Sequence, residues 1–244
     1  MVEYKEQVYN IAGISVYVNA FGETLIKRGL KYLSDCEPPY DIVIDVPISF
    51  IEKKQKENPH LSLSDCEYIW TGSKFYRTLL DFDAFMLHAS AVVYNDTAYL
   101  FSAPCGTGKS THTSLWQEYF GKDNAYILND DKPAILYRDG GFYAAGTPWS
   151  GKTDQNENRT AALGAITFLS RSGKNYIEKI NGAEALALIL NQTLRPSDSE
   201  NMDKLLTLLD KLSESVPLFK AGVDMSEDAV RTTFNAMSRA IGLE

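Results

Sequence analysis

The stretch FSAPCGTGKSTHTSLW, residues 101–116, decides how the fold of this chain is interpreted. An apolar run ends before residue 103 and an amphipathic run begins near residue 110, so the pattern predicts a strand, a short loop and a helix. The loop itself, APCGTGKS at residues 103–110, has the spacing of a phosphate-binding loop in which alanine replaces the first glycine. A glycine-rich turn that matches by chance is the alternative. The flanking strand and helix favour the phosphate-binding loop.

The loop contains the residue types that bind a nucleoside triphosphate. Gly106 and Gly108 stand where a side chain would collide with phosphate oxygens, so backbone N–H groups can converge there. Lys109 supplies a positive charge for the terminal phosphates, and Ser110 supplies a hydroxyl group for Mg²⁺. The sequence therefore predicts ATP and Mg²⁺ as cofactors. The residues expected to contact them are Cys105, Gly106, Thr107, Gly108, Lys109, Ser110 and Thr111.

Composition and charge limit the class of protein. With 244 residues, of which 44% are hydrophobic, the chain can form one main domain with a substantial core. A formal net charge of -8 disfavours nucleic acids as partners, and three scattered cysteines predict neither a disulfide framework nor a zinc site. Residues 1–10 carry charges, and no run reaches the roughly 18 apolar residues of a membrane span. We therefore expect a cytoplasmic protein without a membrane partner.

Residues 1–80 and 81–244 differ in pattern and are predicted to form two regions. Residues 1–80 combine alternating runs, a helical run and a surface loop over residues 52–65, which predicts a smaller N-terminal α+β region. Residues 81–244 contain two strands before the loop and a helix after it that ends at Gly121. Further strands follow, with a hairpin that turns at Asp139-Gly140, and the C-terminal third is helical. The run at residues 182–194 is apolar nearly all round, which predicts a buried helix. The predicted fold class is α/β, with the nucleotide-binding domain over residues 81–244.

A pair of carboxylates, Asp130 and Asp131, follows the predicted strand AYILN at residues 125–129. Phosphate-loop proteins keep an acidic metal ligand beyond such a strand, and adjacent residues at a strand end point in different directions. One carboxylate can therefore bind the metal together with Ser110, while the other accepts the proton of a nucleophile. The sequence Asn-Asp-Asp is also typical of an ordinary turn, but the upstream loop favours the functional interpretation.

A histidine, His88, lies in the otherwise apolar run FMLHASAV at residues 85–92. A histidine in such a run is ordinarily buried and hydrogen-bonded for structural reasons. Because the run lies one hairpin before the loop, adjacent strands can also bring His88 beside the phosphates or the aspartate pair. The sequence leaves both interpretations open.

The order LHASAV (87–92), APCGTGKS (103–110) and ILNDD (127–131) resembles the catalytic domain of HPr kinase/phosphorylase and, more distantly, ATP-dependent phosphoenolpyruvate carboxykinase. The likeness covers about residues 88–131 and continues more weakly, as an order of strands and helices, to the C-terminus. It implies a mixed-sheet P-loop kinase domain of this type over residues 81–244.

The resemblance also implies roles for individual residues. Lys109 and Ser110 would hold the nucleotide and Mg²⁺. Asp130 would be the base for an acceptor hydroxyl, and Asp131 would pair with His88 or share the metal. Which aspartate has which role is not decided by the sequence.

The chain departs from the HPr kinase pattern at two places in its nucleotide-binding part, and its first 80 residues do not resemble the family's N-terminal domain. Thr111 stands where the family has glutamate, and the family signature E-I-R-G-x-G-I is missing. The segment GTPWSGKTDQNENR, residues 146–159, stands in its place. This segment could place Lys152, Asn156 or Arg159 over the transferred phosphoryl group, where a cation stabilises the developing charge. The alternative is a surface loop with a solvated lysine.

Two functions follow from these patterns. The first is an ATP- and Mg²⁺-dependent kinase that transfers the γ-phosphoryl group to a serine-type hydroxyl of a protein, peptide or small molecule. The second is a nucleotide-binding regulatory or assembly module without catalysis. A carboxykinase ranks third because its sites usually need a longer chain. The expected partners are the nucleotide and a hydroxyl-bearing acceptor, and a homo-oligomer stays open.

Overall fold

The chain forms two β-sheets, one of three strands and one of nine, within residues 3–243, which the computed structural model describes. The elements of the N-terminal part are β1 (Lys5–Ile11), β2 (Ile14–Ala20), α1 (Glu23–Gly29), a 3₁₀ turn (Leu30–Tyr32), β3 (Ile42–Ile44), α2 (Ile48–Glu57), α3 (Leu63–Thr78) and a second 3₁₀ turn (Leu79–Phe82). β1 and β2 form an antiparallel hairpin, and β3 pairs with β2 in parallel. Every second residue of β2 is buried, so one face of this small sheet packs into a core.

The prediction of a surface loop over residues 52–65 is wrong at both ends of that range. Its first residues belong to α2, which runs to Glu57, and its last residues belong to α3, which begins at Leu63. Ile51 is fully buried and anchors α2. Lys54 and Glu57 form an ion pair on the outside of the same helix, with 2.8 Å between Nζ and Oε2. A short polar segment can therefore be helical when tertiary packing buries one of its apolar side chains.

The large sheet is built by the rest of the chain. Its strands are β4 (Ala84–Met86), β5 (Ala89–Tyr94), β6 (Thr97–Ser102), β7 (Ala125–Asn129), β8 (Ala134–Arg138), β9 (Gly141–Ala145), β10 (Thr160–Arg171), β11 (Tyr176–Lys179) and β12 (Leu218–Val223). Their order is β4-β8-β9-β10-β6-β5-β7, and β12 pairs with β10 and β11. β10 is parallel to β6 and β12 but antiparallel to β9. The predicted α/β fold with a mixed sheet is confirmed, and so is the predicted hairpin, which is β8–β9.

Four helices cover the two faces of the large sheet. They are α4 (Lys109–Phe120), α5 (Gly182–Leu190), α6 (Ser199–Ser215) and α7 (Glu227–Ala240). Successive side chains of β6 point to opposite faces, so Leu100 lies in the core under α5 and α6, while Tyr99 and Phe101 lie in the core under α4 and α7. In the described part of the chain, every helix is too short or too polar for a membrane span.

Two predictions for the C-terminal third need correction. This third is not purely helical, because β12 lies between α6 and α7 and pairs in parallel with β10. The helix predicted for residues 182–194 ends at Leu190, and its fully buried residues are Ala185 and Ile189. The remaining leucines of α5 are half-buried at the edge of the core, so an all-round apolar pattern here indicates partial rather than complete burial.

The N-terminal part packs against the large sheet through a shared apolar cluster. This cluster contains Ile11 and Val16 of the small sheet together with Met86, Leu136 and Trp149. It therefore includes residues on both sides of residue 80. That residues 1–80 and 81–244 are separate domains stays a prediction.

Candidate functional site

The loop between β6 and α4 has the backbone geometry that its glycines predicted. Gly106 and Gly108 have φ values of 79° and 117°, in the left-handed region that side chains disfavour. A Cβ atom at either position would meet nothing within 4 Å, so the space in front of the loop is open. α4 begins at Lys109, and the N–H groups of its first turn lack helical acceptors. An open cradle at a helix N-terminus fits a phosphate group.

Two basic side chains hold this loop in shape. Lys109 is buried, and its Nζ donates a hydrogen bond of 2.8 Å to the Ala103 carbonyl oxygen. Burial lowers the pKa of Lys109, and the carboxylate of Asp131 opposes that shift. Arg171 donates to the carbonyl oxygens of Gly106 and Thr107, at 2.6 and 3.2 Å. The carbonyl groups of Ala103, Gly106 and Thr107 thus accept hydrogen bonds from cations. Within the loop, the Thr107 N–H donates to the Pro104 carbonyl oxygen at 3.3 Å.

Arg171 was not predicted as a site residue. It is the last residue of β10, which runs parallel to β6, so the carboxyl ends of both strands lie at the same edge of the sheet. The sequence shows that a strand ends in arginine, but it does not show that this strand pairs with the one before the loop.

The two aspartates after β7 have different partners. Asp130 is 6% exposed, and its carboxylate accepts hydrogen bonds from Ser90 Oγ at 2.6 Å and from Thr153 Oγ1 at 2.7 Å. Asp131 Oδ1 lies 3.2 Å from His88 Nε2, and its Oδ2 pairs with the Lys132 ammonium group. The two carboxyl groups are therefore held in separate environments.

The pKa of Asp131 reflects a competition between burial and its partners. Burial favours the neutral acid, but the hydrogen bond from His88 and the charge of Lys132 outweigh it and lower the pKa from 3.8 to about 2. Asp131 is therefore ionised at neutral pH and is a weak proton acceptor.

His88 lies in the short connection between β4 and β5, where the run FMLHASAV is interrupted. Its Nδ1 lies 2.8 Å from Gln192 Oε1, and its Nε2 faces Asp131. The structure thus brings His88 beside the aspartate pair, with Gln192 orienting the ring from the opposite side. Gln192 follows α5, and no pattern in the sequence connects it with His88.

The segment at residues 146–159 brings one of its three candidates to the loop. Lys152 is exposed and lines the same cavity as the loop. Asn156 is instead buried and accepts a hydrogen bond from Tyr32 Oη at 2.9 Å. Arg159 lies over the ring of Tyr126 at 5.1 Å and does not line that cavity.

Most of the candidate residues line one open cavity of about 420 Å³. Its walls include, from the predicted set, His88, Cys105, Gly106, Gly108, Lys109, Ser110, Thr111, Asp130, Asp131 and Lys152. Thr107 faces an adjoining cavity. The residues of this wall that were not predicted are Ser150, Gly151, Thr153, Arg171 and Met225. The glycine loop, two lysines and two aspartates therefore line the same space. A phosphate ester and a hydroxyl group can meet there.

The residues also fit a divalent cation that is held mainly by phosphate. Between residues 3 and 243, no group of three or more His, Cys, Asp or Glu side chains could hold a metal by itself. Mg²⁺ at a nucleotide needs one or two protein ligands, because phosphates and waters complete its shell. The Ser110 hydroxyl and the Asp131 carboxylate line the cavity and can supply them.

Comparison with protein-family models and with curated proteins gives no match. Among solved structures, the chain is similar to the Hpr(Ser) kinase/phosphatase from Coxiella burnetii, with 12% sequence identity and a TM-score of 0.34. The similarity covers 63% of this chain and 98% of that one. The sequence identity and the TM-score are both low, so this is a weak likeness at the level of the fold.

Proposed function

We propose that this protein is a P-loop kinase that transfers the γ-phosphoryl group of ATP to a serine-type hydroxyl of a protein, peptide or small molecule. One observation carries the proposal. The glycine loop, Lys109, the Asp130–Asp131 pair, His88 and Lys152 line a single open cavity, although they are spread over residues 88–152 of the sequence. A kinase needs these groups together, because it works by positioning and by neutralising charge.

The loop would bind the nucleotide phosphates. The N–H groups around Gly106 and Gly108 donate to phosphate oxygens, and the N-terminus of α4 adds its positive end. Lys109 would exchange its hydrogen bond to the Ala103 carbonyl for one to a terminal phosphate. Mg²⁺, when bound by Ser110 and Asp131, would neutralise negative charge on the phosphates.

Asp130 is the better candidate for the base. Its Oδ2 already accepts a hydrogen bond from a hydroxyl, that of Thr153, so an acceptor hydroxyl can take the place of Thr153 Oγ1 and transfer its proton to the carboxylate. Asp131 is unsuited to this role because its low pKa makes it a poor proton acceptor. His88 and Lys132 instead keep Asp131 charged, as a metal ligand requires.

Lys152 would supply a second cation to the cavity that the loop lines. Its exposed side chain faces the cavity from the segment that also carries Thr153. A positive charge at this position would stabilise the phosphoryl group in the transition state, when charge spreads over its oxygens.

The test is Asp130→Asn, which preserves size and removes basicity. We expect ATP with Mg²⁺ to bind with nearly wild-type affinity, while transfer of labelled phosphate to serine-containing peptides falls by roughly 10²-fold or more. Lys109→Ala should lose binding itself, because it removes a charge that faces the phosphates. Asp139→Asn, in the exposed β8–β9 turn, is the matched control and should change neither quantity.

The outcomes separate the two candidate functions. If wild-type protein binds ATP but labels no peptide or small-molecule acceptor, and Asp130→Asn is indistinguishable from it in binding, the non-catalytic regulatory module becomes the better account. If Lys109→Ala binds ATP as wild type does, the phosphate-binding role of the loop is wrong.

A further inference from the structure

The segment at residues 146–159 is held in place by side chains from the N-terminal part of the chain. Arg28 of α1, Lys31 and Tyr32 of the first 3₁₀ turn, and Tyr68 of α3 all form hydrogen bonds to it. None of these four residues lines the phosphate cavity, whereas the segment itself does. The N-terminal part therefore reaches the candidate site through this segment.

Tyr68 fixes the backbone of the segment to α3. Its hydroxyl donates to the Pro148 carbonyl oxygen at 3.1 Å, and it accepts from the Ser150 N–H at 2.9 Å and from Arg28 Nη1 at 2.8 Å. A phenol has one donor and two acceptor positions, so all of them are in use. Trp149, which lies between the two backbone groups, is buried. The segment therefore enters the phosphate cavity with its backbone held on both sides of Trp149.

Arg28 holds the next turn of the segment. Its Nη1 also donates to the Gly151 carbonyl oxygen, and its Nε lies 3.5 Å from Asp154 Oδ1. The guanidinium group lies over the ring of Tyr68, 4.7 Å from the centroid, and the Arg28 side chain is only 19% exposed. The rigid fork of an arginine can serve several acceptors at once, which a lysine cannot copy. Arg28 thus holds both ends of the dipeptide between Gly151 and Asp154.

That dipeptide, Lys152–Thr153, is the part of the segment that meets the candidate catalytic groups. Thr153 Oγ1 donates to Asp130 Oδ2 at 2.7 Å, and Lys152 lines the phosphate cavity. Gly151, just before them, has a φ of 73°, and a Cβ atom there would lie 2.8 Å from Asp131 Cβ. A misplacement of about 1 Å at a reacting group can cost on the order of 10²-fold in rate. Small displacements of this segment would therefore reach the cation and both carboxylates.

We infer that Arg28 and Tyr68 are positioning residues for phosphoryl transfer. They hold the segment so that Lys152 faces the transferred phosphoryl group and Thr153 faces Asp130. This inference rests on the proposed function, since it assumes that phosphoryl transfer takes place in the cavity. It goes beyond that function by making the N-terminal part of the chain a component of the active site. Because neither residue touches the glycine loop, both act on turnover and not on nucleotide binding.

The experiment is steady-state kinetics on the full chain, with ATP, Mg²⁺ and the serine-containing peptide that wild type labels best. Tyr68→Phe keeps the ring and removes only the hydroxyl, and Arg28→Ala removes the fork. We expect each to lower kcat roughly tenfold or more and to leave the KM for ATP within about twofold of wild type. Lys27→Ala is the matched control on α1, because Lys27 is exposed and pairs with Glu23 on the same helix, and it should change neither quantity.

A double-mutant cycle separates positioning from a loss of folded protein. If Arg28 acts through the segment, Arg28→Ala should lower kcat by a factor at least about threefold smaller in a Lys152→Ala background than in wild type, since the cation that it positions is already gone. A purely structural defect lowers the folded fraction and therefore gives the same factor in both backgrounds.

The outcomes distinguish this inference from the proposed function. If wild type labels no peptide, the peptide-kinase function and the inference fail together. If wild type is active and both Arg28→Ala and Tyr68→Phe turn over as fast as Lys27→Ala, the inference is overturned while the proposed function stands. An equal effect of Arg28→Ala in the two backgrounds of the cycle also overturns it, because Arg28 would then support only the fold.

Discussion

Replacing Asp131 with asparagine removes a charge that the fold stabilises, and the effect on stability can be worked out. The side chain of Asp131 is 21% exposed, and His88 and Lys132 lower its pKa from 3.8 to about 2. A carboxyl group whose folded pKa lies below its unfolded value contributes stability above the unfolded pKa and loses it as pH falls toward the folded pKa. The shift is worth about 2 kcal/mol at pH 5 to 7, about 1 kcal/mol at pH 3, and little at pH 2.

The assay is urea unfolding of wild type and Asp131→Asn at pH 3, 4, 5 and 7. The destabilisation caused by the substitution should shrink by about 1 kcal/mol between pH 5 and pH 3, because the charge lost in the variant is also being lost in wild type. This difference isolates the charge, since other effects of asparagine do not depend on pH. Asp203→Asn, on the exposed side of α6, is the control and should change stability by less than about 0.5 kcal/mol.

A destabilisation by Asp131→Asn that stays constant from pH 3 to pH 5 would refute the reasoning. It would mean that His88 and Lys132 do not stabilise the Asp131 carboxylate in the folded protein. The assignment of Asp131 as a charged metal ligand would then lose its basis, and Asp130 would lose its priority as the base.

Two further predictions concern the transition state and the backbone. In steady-state kinetics, Lys152→Ala should lower kcat roughly 10²-fold and leave the KM for ATP nearly unchanged. If the variant turns over as fast as wild type, residues 146–159 form an ordinary surface loop without a catalytic role. Gly146→Ala should destabilise by roughly 3 kcal/mol or more in urea unfolding, because its Cβ would lie 1.8 Å from the Glu157 carbonyl oxygen. Gly173→Ala meets open space and should change stability by less than about 1 kcal/mol, so similar unfolding midpoints for the two variants would contradict this account.

Interactions between residues close in sequence were predicted well. Residues 103–110 form a loop between a strand and a helix, and α4 ends at Phe120, just before Gly121 at a φ of 82°. The β8–β9 hairpin also follows its Asp139-Gly140 turn, where both residues have positive φ. These features depend on the conformational preferences of a few adjacent residues, so a single sequence contains them.

Long-range strand pairing was not predicted, and the unpredicted site residues depend on it. Arg171 reaches the loop because β10 lies beside β6, a pairing between residues 65 or 66 positions apart in sequence. β12 lies in a part of the chain expected to be helical, and it is a strand because β10 and β11 offer it hydrogen-bonding edges. The local preference of the residues alone does not determine whether such a segment forms a strand or a helix.

The sequence by itself determined the glycine-containing loop between a strand and a helix, the position of the aspartate pair after a strand, and the α/β class, because each depends on spacing along the chain. Only the tertiary structure decided that His88 faces Asp131, that Thr153 donates to Asp130 and that Lys152 lines the cavity while Asn156 is buried. These contacts join residues 23 to 43 positions apart, and they exist because the sheet brings the ends of several strands to one edge. The physical reason is that strand order is set by the packing of the whole core, which no local pattern encodes.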